Sequence, residues 1–321
     1  MQRFLIMAML FWHTTAMGFE KVIIWGHKLH SHTHSYVHQG FFRAYEYLGY
    51  PTYWFDNSDD VSNFDFSNAL FLTEGQVDEK IPLRKDSVYL IHNCSADKYK
   101  GVKNVYIQVY TDAVLTNPDL KKVEPCVYFD LAGKGIYIPW ATNLFPHEIE
   151  QNKQNLSQIK KQKVVYWIGT IGDGIFGNST EINPFRIACQ ENHISFIAPQ
   201  PCGTGIEEDL HQKLIACAYL APAIVGEWQK KVGYIPCRIF KNISYGQLGV
   251  TNSYRVYELF ERKIVYNSDT RRLFYDAQAK ANTATLDDIC ELMDFVKTKH
   301  TYINRVKTIL NFLNTIGYLN D

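Results

Sequence analysis

An apolar run that ends in a turn-forming loop and feeds a helix occurs twice in this chain. The first copy is Val22-Ile23-Ile24-Trp25, followed by a histidine-rich loop and a helical stretch from Tyr36 to Leu48 in which Val37, Phe41, Tyr45 and Leu48 keep a 3.6-residue spacing, closed by Gly49. The second is Lys163-Val164-Val165-Tyr166-Trp167-Ile168, followed by Gly169-Thr170-Ile171-Gly172-Asp173-Gly174 and a helix expected near Asn183-Pro184. Further β-runs at Thr52–Phe55, Ala69–Thr73, Val88–His92, Val105–Tyr110 and Ile136–Pro139 fill the first half. Strand, helix, strand at this spacing predicts a parallel sheet with crossover helices, begun twice. A length of 321 residues fits two such units. The expected layout is an α/β chain with domains at 19–145 and 163–321, the latter carrying the terminal helices, and a polar linker at 146–162 that is poor in apolar periodicity. Two open α/β units side by side form a cleft, with ligands bound outside the carboxyl ends of the strands.

Composition narrows the function classes. The 33 Lys and Arg balance 33 Asp and Glu, so no basic field draws in nucleic acid. Hydrophobic residues at 46% with charged residues at 21% describe a globular chain rather than a disordered or multi-span one. Residues 1–18 pair Arg3 with an apolar run from Phe4 to Trp12 and a small-residue exit at Ala16-Met17-Gly18, the grammar of a signal peptide too short to span a bilayer. Its cleavage implies the secretory pathway or periplasm; an over-extended start at the same place implies a cytoplasmic protein beginning near Phe19. Seven cysteines, Cys94, Cys126, Cys189, Cys202, Cys217, Cys237 and Cys290, form no C-x-x-C pair and read as free thiols in apolar contexts.

Three segments carry chemistry. Five of the eleven histidines, His27, His30, His32, His34 and His38, fall within twelve residues after the first strand, where a catalytic base or a ligand belongs. A metal at His30, His32 and His34 lacks a carboxylate or thiol in the same segment, and the remaining reading is a polar loop with Ser35 as helix N-cap. The glycines from Gly169 to Gly174 let backbone N–H groups approach a phosphate, but the spacing is neither G-x-G-x-x-G nor a P-loop. In the third segment, Gly233 to Asn252, Arg238 and Lys241 can neutralise a diphosphate while Ser244, Thr251 and Asn252 can donate hydrogen bonds to oxygens. Solvated cations on a surface helix explain the same pattern. Trp140 and Trp228 are candidates for the cleft walls or for the core.

The stretch Arg238-Ile239-Phe240-Lys241 through Gly246 resembles the Arg-x-Phe-Glu-x-x-x-x-Gly segment of GT-B glycosyltransferases, and His300-Thr301-Tyr302-Ile303-Asn304-Arg305 resembles the His-Thr-Tyr-x-x-Arg helix that closes many of them. The resemblance implies two Rossmann-like domains with a cleft between them, and transfer of a sugar from a nucleotide-diphosphate donor to a glycan, lipid or protein acceptor. It further implies metal-independent chemistry with no cofactor, while the balanced charge and the short apolar leader point to no nucleic-acid partner and no integral membrane span. It places Gly169, Gly172, Arg238, Lys241, Asn242, Ser244, Gly246, Thr251 and Asn252 at the sugar donor. If transfer inverts the anomeric centre, His32 and His34 are the candidate bases, whereas retention needs none. Where the family has a glutamate for the donor ribose, this chain has Lys241, which cannot accept a hydrogen bond; Glu258 is a distant substitute. That departure keeps open a non-catalytic two-domain sugar- or nucleotide-binding protein. The histidine loop keeps open a secreted metallohydrolase.

Overall fold

The computed structural model describes residues 18–28, 33–199 and 208–319. Residues 1–17, His30, His32 and Cys202 lie outside them. The first half is an eight-stranded sheet built from β1 (Lys21–Trp25), β2 (Thr52–Phe55), β3 (Ala69–Glu74), β4 (Val88–His92), β5 (Lys103–Gln108), β6 (Leu120–Glu124), β7 (Val127–Asp130) and β8 (Gly135–Tyr137). Its order is β2-β1-β3-β4-β5-β8-β7-β6, parallel through β8 and antiparallel beyond. The central strand β3 is buried at every position, as a sheet covered on both faces requires.

One face of this sheet packs on α1 (Thr33–Tyr47) through Val37, Phe41 and Tyr45. The other carries no crossover helix among the described residues, contrary to the expectation from strand spacing. The connections at 56–68, 75–87 and 93–102 are rich in Asp, Asn and Ser and contain Pro82, so nothing in them sustains a helical apolar stripe. Aromatic rings take the place of helices: Phe55, Phe64 and Phe66 pack against one another in edge-on and tilted pairs at 4.7–5.6 Å and cover Trp25 and Phe71.

The second half repeats the plan. Strands β9 (Gln162–Tyr166), β10 (Ser195–Ile197) and β11 (Ala218–Leu220) pair in parallel in the order β10-β9-β11. A second parallel pair, β12 (Val250–Thr251) and β13 (Val265–Tyr266), joins them through a bridge between Ala223 and Thr251. Numbered within each half, both sheets therefore begin in the order 2-1-3-4-5, with the switch of winding direction beside the first strand. Helices α2 (Pro146–Asn155), α3 (Ser179–Glu191), α4 (Glu208–Cys217), α5 (Glu227–Lys231), α6 (Cys237–Ser244), α7 (Tyr254–Leu259), α8 (Thr270–Thr283), α9 (Leu286–Lys299) and α10 (Tyr302–Thr315) complete the chain.

Local expectations differ from the structure at four places. The stretch 146–162 holds α2, anchored by Ile149 and Leu156 in the second-half core, with Glu148 closing its first turn onto the Phe145 N–H at 2.6 Å. The helix expected at Asn183 starts at Ser179 and contains Pro184 in its second turn, where the ring removes one hydrogen bond to the carbonyl four residues back. Ser35 is buried within α1 rather than capping it. Helix α10 packs through Tyr302, Val306, Ile309 and Phe312 into the core of the first sheet, so the chain end returns to the half in which it began. Among the described residues, no helix is long and apolar enough to cross a membrane, and Cys94, Cys126, Cys189, Cys217, Cys237 and Cys290 are free thiols.

Candidate active site

A cavity of about 260 Å³ lies at the carboxyl end of β9, where Tyr36 of α1 faces Gly169, Gly172, His211, Arg238 and Lys241 of the second half. Arg238 and Lys241 are three residues apart on α6 and so share a face. The Arg238 guanidinium lies 4.0 Å over the Trp167 ring and donates to the Ile224 carbonyl at 3.2 Å, while its buried Nε–H has no hydrogen-bond partner. Burial pushes its pKa down, yet an arginine keeps its charge at neutral pH. The Lys241 ammonium sits 4.2 Å over the Tyr36 ring, a contact between the halves. Gly169 has φ +122°, and a Cβ there would collide with the Arg238 guanidinium, so its identity is fixed by both conformation and space.

The loop from Gly169 to Gly177 is held by Asn178, a residue the sequence reading missed. Its Oδ1 accepts from the Gly172 N–H at 3.1 Å and its Nδ2 donates to Thr170 at 3.1 Å, so the Gly172 amide is already satisfied. The other residues expected at the sugar donor lie elsewhere. Asn242 donates to Ala221 at 2.7 Å, Thr251 to Ala223 at 3.0 Å and Asn252 to Val225 at 2.9 Å, each serving a buried backbone carbonyl between strands. Ser244 shares a 2.9 Å hydrogen bond with Thr142, and Gly246 (φ +84°) lies against Leu156. Glu258 is on the surface, paired with Arg262 at 2.7 Å. Trp228 packs between Tyr110 and Phe176, and Trp140 is buried in the first half.

A second cluster occupies the carboxyl end of the first sheet. His27, just after β1, bonds through Nε2 to Glu74 Oε2 at 3.1 Å, and both side chains are buried. The His34 ring stacks on His27 at 5.5 Å and lies 5.4 Å from His92 and edge-on to Trp140. His38 Nδ1 meets the Gly26 carbonyl and His92 Nδ1 the Ile107 carbonyl, both at 2.8 Å. A carbonyl only accepts, so in both rings Nδ1 carries the proton. Burial pushes His38 down to about 4 and lowers His92. Burial also works to raise Glu74, but hydrogen bonds from His27 and the Gln76 N–H outweigh it and hold the carboxyl below its ordinary value. Glu74 and His92 are the last residues of β3 and β4, and a polar residue ending a buried parallel strand is the signal that could have found them.

No protein-family model matches the sequence, and no curated protein matches it. Solved structures do. An α-glucosyltransferase in complex with UDP superposes with a TM-score of 0.54 at 10% identity, over 91% of this chain and 98% of that one. An α-glucosyltransferase complex with UDP and a 13-mer DNA containing a central A:G mismatch gives 0.57 at 10% identity, over 93% and 100%. The chain has the GT-B fold. An α1,3-fucosyltransferase superposes with a TM-score of 0.51 at 10% identity, over 95% of this chain and 91% of that one. The 260 Å³ cavity thus lies between the two sheets of a GT-B chain, with Tyr36 on one side and Arg238 on the other.

Proposed function

We propose that this protein is a glycosyltransferase that binds a nucleotide-diphosphate sugar in the cavity under Tyr36 and transfers the sugar to a glycan, lipid or protein acceptor. One observation carries the reading: Arg238 and Lys241 converge on a cavity that Gly169 keeps open. Two fixed cations offset the charge that grows on the leaving diphosphate, so the reaction requires no divalent ion. Arg238 is held in position by Trp167 and Ile224, and so spends little reorganisation when the charge develops. Lys241 cannot accept from the ribose hydroxyls as a glutamate would, and its charge is assigned to phosphate. For an inverting transfer the proton of the acceptor hydroxyl goes to a base; of His32 and His34, the two histidines expected in that role, His34 is among the described residues and lies outside the lining of the cavity.

UDP is the first probe, because the α-glucosyltransferases of the same fold were solved with it. Calorimetric titration of the full chain with UDP, GDP, ADP and CMP in EDTA should give binding of one nucleotide class, lost in Arg238→Ala. Absence of binding by all four to folded protein would remove the transferase reading.

A further inference from the structure

We propose that His27, His34 and Glu74 form a binding site for one zinc ion at the carboxyl end of the first sheet. The site goes beyond sugar transfer and meets that reading only at His34. His27 follows β1 and Glu74 ends β3, the two strands that flank the change of winding direction, where an open α/β sheet leaves a crevice for a ligand. One nitrogen from each histidine and one carboxylate oxygen lie within 4.8 Å of one another. The His27 Nε2 to Glu74 Oε2 separation of 3.1 Å already approaches the roughly 3.4 Å between two tetrahedral ligands held about 2.1 Å from zinc. The other two separations, at most 4.8 Å, need to shorten by about 1.4 Å or less to reach the same geometry.

Two imidazoles and one carboxylate suit zinc, whereas calcium and magnesium demand oxygen ligands throughout. Beside the triad a space of about 10 Å³, bordered by His34, His38, Glu74 and His92 and otherwise by apolar side chains such as Leu72, Leu90 and Trp140, has room for a single small ligand such as water. Three protein ligands and such a space are the arrangement of a zinc site with an open position. Among the described residues no lysine or arginine pairs with Glu74; its buried carboxylate has the His27 ring and the Gln76 N–H, at 3.0 Å, as hydrogen-bond partners and His34 as a further electrostatic one. A cation there compensates a buried negative charge, and the Gln76 N–H fixes the carboxylate's orientation from outside. Glu74 lies 47 residues beyond His27 in the chain, which is why this ligand set has no compact spacing in the sequence.

His34 cannot ligate zinc and accept the acceptor's proton at once, and the experiment separates the two roles. Full-length protein, stripped with EDTA and dialysed, is titrated with ZnCl2 and assayed for bound metal, and a parallel sample is loaded with CoCl2 for visible spectroscopy. The expected results are one zinc per chain and the intense visible bands of low-coordinate cobalt. Glu74→Gln and His34→Ala should weaken zinc binding by roughly a hundredfold or more, with His147→Ala, at an exposed position, unchanged. Folded wild-type protein that takes up no zinc, or shows only the faint spectrum of hydrated cobalt, overturns the site and returns His34 to the candidate base. Unchanged stoichiometry in both ligand variants overturns it equally. The cobalt spectrum of the wild type decides the matter if either variant fails to fold.

Discussion

Arg305 donates its Nε–H to the carbonyl of Pro139 at 2.7 Å, tying the last helix to the segment where the chain leaves the first sheet. The rest of the guanidinium serves Trp140 and Lys299 carbonyls and the His300 Nδ1 at 2.9–3.3 Å. It is buried with no carboxylate in ion-pair range among the described residues, and burial lowers its pKa only to about 10, so it is a structural cation solvated by backbone. Arg305→Met leaves three carbonyls without donors and should cost about 3 kcal/mol or more, with Arg305→Lys between it and wild type. Urea unfolding measures the loss. Nucleotide affinity of the folded fraction should not move, because the residue does not reach the cavity.

Gly169 and Gly172 sit in one loop but should answer alanine differently. At Gly169 the new methyl meets the Arg238 guanidinium at a φ that L-residues avoid, so Gly169→Ala should abolish nucleotide binding and cost about 1–3 kcal/mol of stability. At Gly172 nothing lies within 4 Å, and the change should leave stability within about 0.5 kcal/mol. Thermal melts with and without UDP distinguish the two, and equal behaviour would detach Gly169 from Arg238.

The strand runs from Val22 and from Lys163, the helices that follow them, and the cation pair on α6 were legible because each is a local pattern. What escaped was non-local. Asn242, Thr251 and Asn252 look like sugar ligands in sequence, yet they serve the carbonyls of Ala221, Ala223 and Val225, whose need for donors depends on strands meeting far along the chain. Glu74 and His92 were invisible as partners of His27 and His34 because parallel pairing alone brings strand ends together. The histidine motif at His300 was found by resemblance, but its service to Pro139 and Trp140 is a property of the crossing.

Arg238 and Lys241 should be separable by what each loses. Arg238→Lys removes the planar fork stacked on Trp167 while keeping the charge, and should weaken UDP binding by about 1.5–3 kcal/mol, roughly 10- to 100-fold. Lys241→Met keeps an apolar stem against Tyr36 and removes only the charge. Its effect should shrink as salt rises, because a partly exposed ammonium is screened. Titrations at 50 and 500 mM NaCl check the difference, and an equal salt response in both variants would count against two distinct roles.

His300 gives the fold a dependence on acid that can be isolated. Its ring is stacked on Phe240 at 4.7 Å and flanked by Phe295 and Phe260, and its Nδ1 accepts from Arg305, so the buried imidazole is neutral. Burial first, then the charges of Arg305 and Lys299, hold its pKa well below the ordinary 6.5. As pH falls through about 6.5 the unfolded chain takes up a proton there and the folded chain does not, so stability drops by up to about 1.4 kcal/mol per pH unit from this residue. His300→Asn keeps an acceptor for Arg305 without a titrating group. It should start less stable at pH 7 and then lose about 2 kcal/mol less than wild type between pH 6.5 and 5. Denaturant unfolding at both pH values gives the comparison, and parallel losses in the two proteins would show that the ring is protonated in the fold.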